Sequence, residues 1–174
     1  AWTLALIARV KNKPVRDLSV IMLDRTRHHD LISEIRATGA RVWLRDEGDT
    51  EGAILAASHD INIDVIMGIG GAAQAVATAC AVKALGGAML ARLAPQSEDE
   101  RAQIREAGLD DRQILTVNEI VNTRRVFFAA TGISHTRLLA PVDLQDSFAI
   151  THSLLLRGKT GTRRFIKAEH VARM

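Results

Sequence analysis

Strand-like and helix-like segments alternate along most of the chain, and this alternation limits the folds that it can adopt. Short apolar or β-branched runs are followed by segments whose apolar residues recur at helical spacing. We predict strands at residues 18–23, 41–44, 63–69, 88–95 and 124–133, with helices at 28–40, 49–60, 72–85 and 97–108 between them. In the last of these helices Ser97 is predicted to be the N-cap, with Glu100 three residues on. Four strand–helix pairs and a fifth strand indicate an α/β fold: a mostly parallel sheet with helices on its faces.

The alternation ends after Pro141. Two β-rich runs on either side of Gly158 and Gly161 predict a terminal hairpin or a pair of edge strands. The sequence contains no internal repeat, low-complexity tract or obvious linker. We therefore interpret residues 1–174 as a single α/β domain.

Composition narrows the class of ligand. The 174 residues are 47% hydrophobic and 25% charged, which is enough apolar material for a core. The net charge is only +3, and the chain has no Tyr and two Trp, so it lacks a stacking platform for nucleic acid. We expect no nucleic-acid partner, and a small anionic ligand instead.

Compartment and processing follow from other features of the chain. No apolar run reaches the length of a membrane span, so we expect no membrane association. Cys80 is the one cysteine, which excludes an internal disulfide and favours a reducing compartment. Cys80 itself lies among alanines and is expected to be a small buried residue, not a nucleophile. Because the chain begins with Ala1, we interpret it as a processed product or a fragment.

A cluster of glycines separates the third predicted strand from the following helix. We call residues 68–71, which read Gly-Ile-Gly-Gly, the glycine loop. Unpaired N–H groups at a helix N-terminus attract anions, and glycines let an anion approach the backbone closely. The spacing matches neither the dinucleotide fingerprint nor a P-loop. Two interpretations stay open: an anion site, or a tight turn in which glycine avoids a clash.

Charged turns follow the first two predicted strands. The basic turn, residues 25–27, carries Arg25 and Arg27, whose guanidinium groups can bind phosphate in a forked geometry. The acidic turn, residues 47–49, carries carboxylates that can accept sugar hydroxyls, hold a metal, or cap the next helix through Asp49. Because the carboxyl ends of parallel strands share one sheet edge, we expect these turns to meet the glycine loop there. A sugar phosphate needs such a mixture of groups.

Several motifs resemble the class II fructose-1,6-bisphosphatases of bacteria. They are LDRTRHHDLISEIRATGARV, EGD, GIGGA, AVKALGG, FFAATGI and KTGTRRFIKAEH, and they extend from about Leu18 to His170. The resemblance implies a sugar phosphatase fold related to the inositol monophosphatase superfamily. It also implies a cytoplasmic hydrolase of gluconeogenesis that removes the 1-phosphate of fructose 1,6-bisphosphate with Mg²⁺ or Mn²⁺. Some members also accept sedoheptulose 1,7-bisphosphate.

The family's proteins are longer than this chain, which looks like their C-terminal half. In the family, the N-terminal half supplies most metal-binding carboxylates and the residues that activate water, so we assign no catalytic residue here. The resemblance implies that substrate is bound by Arg25, Thr26 and Arg27, by Glu47, Gly48 and Asp49, and by Gly71. We expect a homo-oligomer or a missing N-terminal half, with contiguous apolar surface left exposed on this chain.

Three positions depart from the family's pattern. Gln74 stands where the family has a glutamate that binds metal, and a neutral amide is a weaker ligand for a hard cation. Glu47 replaces an aspartate, and residues 133–136 read Ile-Ser-His-Thr where Thr-Asp-Gly is usual. The departures are compatible with a weakened enzyme, a changed specificity or a retired copy. The alternative function is therefore a truncated or non-catalytic homologue that binds sugar phosphate or a partner subunit.

Overall fold

The computed structural model describes residues 1–58 and 61–171. Helices in these ranges are α1 (Trp2–Val10), α2 (His29–Ala37), α3 (Asp49–Ala57), α4 (Ala72–Ala84), α5 (Glu98–Glu106) and α6 (Val117–Ile120). The strands are β1 (Ser19–Leu23), β2 (Arg41–Arg45), β3 (Val65–Ile66), β4 (Leu90–Ala91), β5 (Leu115–Thr116), β6 (Phe127–Thr131), β7 (Asp143–Leu144), β8 (Phe148–Arg157) and β9 (Thr162–Val171). None of the helices in the described ranges has the length and apolar character needed to cross a membrane.

The first three predicted strands form a parallel sheet in the order β2-β1-β3. All five residues of β1 are buried, as expected of a central strand that is covered on both faces. Val20 and Met22 pack against α1 and α2, whereas Ile21 packs against Leu55 of α3. The parallel sheet and its covering helices confirm the predicted α/β character. The sequence did not predict α1.

The fourth and fifth predicted strands do not join the parallel sheet, so the prediction of a mostly parallel sheet was wrong in extent. β4 pairs with β5 in an antiparallel ribbon, and Leu90 of β4 is 71% exposed, unlike a residue inside a covered parallel sheet. β6 pairs antiparallel with β8. The apolar character of a strand does not specify its neighbour, and β8 offers β6 a longer partner than the short β3 does.

The terminal hairpin is confirmed. β8 and β9 pair antiparallel from Phe148↔Val171 to Arg157↔Thr162, and β6 and β7 complete a four-stranded sheet around β8. Leu154 and Leu156 of β8 point into a core shared with α3 and α4. The α3–α4 pair therefore lies between the two sheets: α3 packs against β1 and β3, and α4 packs against β6 and β8.

Helix ends follow the predicted signals with one exception. Ser97 accepts a hydrogen bond from the Glu100 N–H at 3.2 Å, which confirms it as the N-cap of α5. Asp49, predicted to cap α3, is instead the first residue of that helix, and Gly48 occupies the N-cap position. The two last residues of the predicted 49–60 helix, His59 and Asp60, lie outside the described residues.

The antiparallel sheet has an outer face, which we define as the side opposite Leu154 and Leu156. By strand alternation it carries Phe127, Leu155 and Ile166. Phe127 is 64% exposed and Ile166 is 43% exposed. Apolar side chains are thus exposed on the outer face.

A buried carboxylate lies at the sheet edge where β3 begins. Asp64 accepts hydrogen bonds from the Ser19 N–H and from Lys13 Nζ, both at 2.9 Å, and forms an ion pair with Lys11 at 3.3 Å. Burial opposes ionisation of Asp64, but the Ser19 N–H and the two ammonium groups outweigh it. The pKa of Asp64 consequently lies below its ordinary value of 3.8.

We expect Asp64→Asn to lower the free energy of unfolding at pH 7 by roughly 1.5–3 kcal/mol, because a charged acceptor of several hydrogen bonds is lost. A depressed pKa stabilises the folded state above the ordinary pKa, and this contribution disappears as the pH falls through the folded-state pKa. The difference between wild type and variant should therefore shrink below about pH 4. Urea unfolding at several pH values measures it, with the exposed Asp146→Asn as control; a pH-independent difference would contradict the assignment.

Candidate functional site

The basic turn, the acidic turn and the glycine loop meet at the carboxyl end of the parallel sheet, as the sequence predicted. They follow β1, β2 and β3, which are neighbours in that sheet. Arg25, Thr26 and Glu47 have exposed side chains in these turns. The edge therefore combines cationic, anionic and backbone groups in one solvent-facing region.

Arg27 joins the basic turn directly to the glycine loop. Its Nε and Nη2 donate hydrogen bonds to the carbonyl oxygen of Ile69 at 3.0 Å and 2.7 Å. A guanidinium group has five N–H donors, so this contact leaves three of them for another acceptor. Arg27 is exposed and can bind an anion while it holds the loop.

His28 holds the same loop from beneath, and sequence reasoning missed this role. It was predicted only to start a helix, which is confirmed, since it is the N-cap of α2. Its side chain is fully buried; Nδ1 lies 2.9 Å from the Leu23 carbonyl oxygen, and Nε2 accepts the Ile69 N–H at 2.9 Å. No local pattern signals a partner 41 residues away.

The acidic turn adjoins the glycine loop through Asp49. A Cβ added at Gly70 would lie 3.1 Å from Asp49 Oδ2, so the carboxylate sits against the loop backbone. Gly48 has a φ of 102°, in the left-handed region that favours glycine, and this conformation turns the chain from β2 into α3. The half-buried Asp49 thus faces the same loop that Arg27 and His28 hold.

Helix α4 presents its N-terminus at this edge. Its N-cap is Gly71, which has no side chain to accept hydrogen bonds from the first N–H groups, and the first turn contains no acidic residue. The N–H groups of that turn are consequently suited to an anionic acceptor. Gln74 is exposed in the first turn, with Oε1 3.5 Å from the position of a Cβ on Gly71.

Glu51 brings a fourth segment to the site, and this contact was also missed. Its carboxylate accepts from Arg45 Nη2 at 2.8 Å and from the N–H groups of Arg137 and Leu138 at 2.7 Å and 3.2 Å. The Arg137 guanidinium lies 5.3 Å from the centre of the Trp43 ring. The segment after β6 thus reaches the same end of the parallel sheet, although β6 belongs to another sheet.

We expect Glu51→Ala to lower the free energy of unfolding by about 2–4 kcal/mol, because it removes a nearly buried acceptor of three hydrogen bonds and the ion-pair partner of Arg45. The exposed Glu106→Ala is the control and should change stability by less than about 0.5 kcal/mol. Denaturant unfolding measures both. Equal stability of the two variants would show that Glu51 does not anchor the segment.

The residues described here do not form a metal centre by themselves. Within 1–58 and 61–171, no group of three or more His, Cys, Asp or Glu side chains is placed to hold a metal ion. Gln74 offers a neutral oxygen, and Asp49 is directed at Gly70. A divalent cation at this edge would need further carboxylates.

Comparison with known proteins identifies related chains. The family model described as bacterial fructose-1,6-bisphosphatase, glpX-encoded, matches residues 1–170. Fructose-1,6-bisphosphatase class 2 of Haemophilus influenzae is 34% identical over 94% of this chain and 53% of its own length. Fructose-1,6-bisphosphatase 1 class 2 of Escherichia coli K12 is 32% identical over the same shares. The chain spans about half the length of these curated relatives.

Proposed function

This chain belongs to the bacterial fructose-1,6-bisphosphatase family, and we propose that it forms the substrate-recognition half of a metal-dependent hydrolase. The proposed reaction converts fructose 1,6-bisphosphate to fructose 6-phosphate and phosphate, in cytoplasmic gluconeogenesis. Sedoheptulose 1,7-bisphosphate is a second proposed substrate. On the strength of the family, we also assign the fold to the inositol monophosphatase superfamily and residues 1–174 to one α/β domain.

One observation carries the proposal: Arg27 of the basic turn donates hydrogen bonds to the backbone of the glycine loop. The Arg27–Ile69 contact places a guanidinium group beside the N-terminus of α4. Both groups attract phosphate, one by charge-assisted hydrogen bonds and the other by its unpaired N–H groups. Asp49 and Glu47 lie on the adjoining turn, where carboxylates can accept sugar hydroxyls.

We propose the following roles for the residues of the site. Arg25 and Arg27 bind a substrate phosphate, with Thr26 between them. Glu47 and Asp49 accept hydroxyl groups, Gly48 provides the left-handed turn between them, and Gly71 lets the sugar approach the backbone. We assign no bond-breaking residue to this chain.

The metal requirement, for Mg²⁺ or Mn²⁺, is part of the same proposal. We propose that carboxylates in the portion of the relatives that this chain does not span supply most ligands. Gln74 would add at most a neutral oxygen.

Titration calorimetry with fructose 1,6-bisphosphate tests the proposal, with unphosphorylated fructose as the control ligand. We expect saturable binding of the bisphosphate that weakens as salt is added, because phosphate binding is charge-driven, and no heat from fructose. Equal heats from both ligands, or none from either, would contradict a sugar-phosphate site.

A second candidate is a non-catalytic homologue that binds sugar phosphate or a partner subunit. Glutamine at position 74 favours it, because this substitution removes a charged metal ligand. Phosphate release, measured with Mg²⁺ or Mn²⁺ after the complementary segment of a relative has been added, separates the candidates. Metal-dependent release supports the enzyme; bisphosphate binding without release supports the alternative.

The outer face supports a proposed homo-oligomer or packing against a missing N-terminal half. Exposed apolar surface marks interaction sites, and Phe127 and Ile166 lie on that face. We expect the chain to self-associate in sedimentation velocity runs at rising concentration, and Phe127→Ser combined with Ile166→Ser to reduce this association. Leu109→Ser, at an exposed leucine elsewhere, is the control. A wild-type monomer at every concentration would count against the proposal.

A further inference from the structure

We propose that His28 is a positioning residue that fixes the glycine loop in its anion-binding conformation, and that it does so only as the neutral Nδ1–H tautomer. The inference rests on the proposed function, because it concerns the same site. His28 does not touch the exposed surface of that site: its side chain is fully buried beneath the loop.

The hydrogen-bond partners determine the tautomer. An amide N–H can only donate, so Nε2, which lies 2.9 Å from the Ile69 nitrogen, must carry a lone pair. A carbonyl oxygen can only accept, so Nδ1, which lies 2.9 Å from the Leu23 oxygen, must carry the proton. The ring thereby connects the end of β1 to the loop after β3.

Two consecutive residues hold both polar groups of a single residue in the loop. His28 accepts the N–H of Ile69, and Arg27 donates to its carbonyl oxygen. The orientation of this residue is therefore fixed from both sides. Gly71 follows two residues later, so the position of the α4 N-terminus depends on this pair of contacts.

Close packing adds a steric constraint. A Cβ at Gly68 would lie 3.2 Å from Cε1 and 3.4 Å from Nε2 of His28, so the loop backbone rests on the ring. Hydrogen bonds and packing against the His28 ring thus fix the position of the glycine loop relative to the end of β1. Displacement of the loop would also break the hydrogen bonds from Arg27, because Arg27 and His28 both bind the backbone of Ile69.

Two amide substitutions separate the functions of the two ring nitrogens. His28→Asn keeps a donor near Nδ1 for the Leu23 oxygen but loses the acceptor for Ile69. His28→Gln is longer, and its Oε1 can reach the position of Nε2 and accept the Ile69 N–H, but it loses the donor to the Leu23 oxygen. A general loss of packing would affect both variants, whereas loss of loop positioning affects chiefly His28→Asn.

The experiment measures amide hydrogen exchange at Ile69 and calorimetric affinity for fructose 1,6-bisphosphate in the full 174-residue chain. In His28→Asn, we expect the hydrogen-exchange rate at Ile69 and the dissociation constant for fructose 1,6-bisphosphate each to rise roughly tenfold. In His28→Gln, we expect both quantities to stay near their wild-type values. Unchanged exchange at Ile69 or unchanged affinity in His28→Asn would overturn the proposal. Equal losses in both variants would also overturn it, because they would indicate a structural role alone.

A further variant and a distinct readout keep the test decisive. If His28→Asn does not fold, Gly68→Ala perturbs the same contact from the exposed loop and should raise Ile69 exchange and weaken binding; no change in either would overturn the proposal. Failure of the proposed function looks different. In that case wild type shows no bisphosphate binding, while Ile69 exchange still distinguishes the asparagine from the glutamine variant.

Discussion

Arg27→Ala should weaken binding of fructose 1,6-bisphosphate by about ten- to 150-fold, equivalent to roughly 1.5–3 kcal/mol. The substitution removes charge-assisted donors to phosphate and also the two hydrogen bonds to the Ile69 oxygen. The loss of the phosphate donors weakens binding directly, and the loss of the Ile69 hydrogen bonds weakens it indirectly by releasing the glycine loop. Calorimetric titration measures the change.

Two further variants identify the cause. Arg36→Ala removes an exposed arginine of α2 and should leave the affinity unchanged. Arg27→Lys keeps the positive charge but loses the planar fork, so an intermediate affinity is expected. If Arg27→Ala binds fructose 1,6-bisphosphate with wild-type affinity, Arg27 does not bind the substrate phosphate.

Gln74→Glu should lower the concentration of Mg²⁺ or Mn²⁺ needed for half-maximal phosphate release and raise the maximal rate. Ligand charge changes the affinity of an oxygen site for a dication by orders of magnitude. A better-occupied metal site also supports phosphoryl transfer more effectively. The assay uses this chain supplied with the complementary segment of a relative and follows release during a metal titration.

Gln103→Glu is the matched control, because it adds the same charge on α5 instead of α4. It should leave the metal titration unchanged. If Gln74→Glu behaves like this control while wild type already turns over at low metal, Gln74 is not an impaired ligand. Position 74 would then be an ordinary residue of the first turn of α4.

The sequence predicted those parts of the fold that depend on local signals. The apolar run of β1 and the Ser97 cap each combine residues that are close in the chain. The meeting of the basic turn, acidic turn and glycine loop also followed, because neighbouring parallel strands bring their carboxyl ends together. The sheet that β6 joins did not follow, since an apolar strand is equally suited to several partners.

The contacts that hold the site together are non-local, which explains why they were missed. Glu51 binds N–H groups 86 and 87 residues further along the chain, and His28 binds Ile69 across 41 residues. The local sequence shows Glu51 only as an acidic residue in the first turn of α3. His28 was predicted only as a helix start, because the residues that it contacts, Gly68 and Ile69, lie in the distant glycine loop.

Amide chemical-shift mapping during a titration with fructose 1,6-bisphosphate tests the central claim most directly, because it locates the bound ligand. We expect saturable shifts at residues 25–27, 47–49 and 68–71, with smaller shifts in the first turn of α4. Shifts confined to another region would contradict the account, for example to the hollow of about 370 Å³ beside Arg101 and Arg105 of α5. An unchanged spectrum at saturating ligand would contradict it equally.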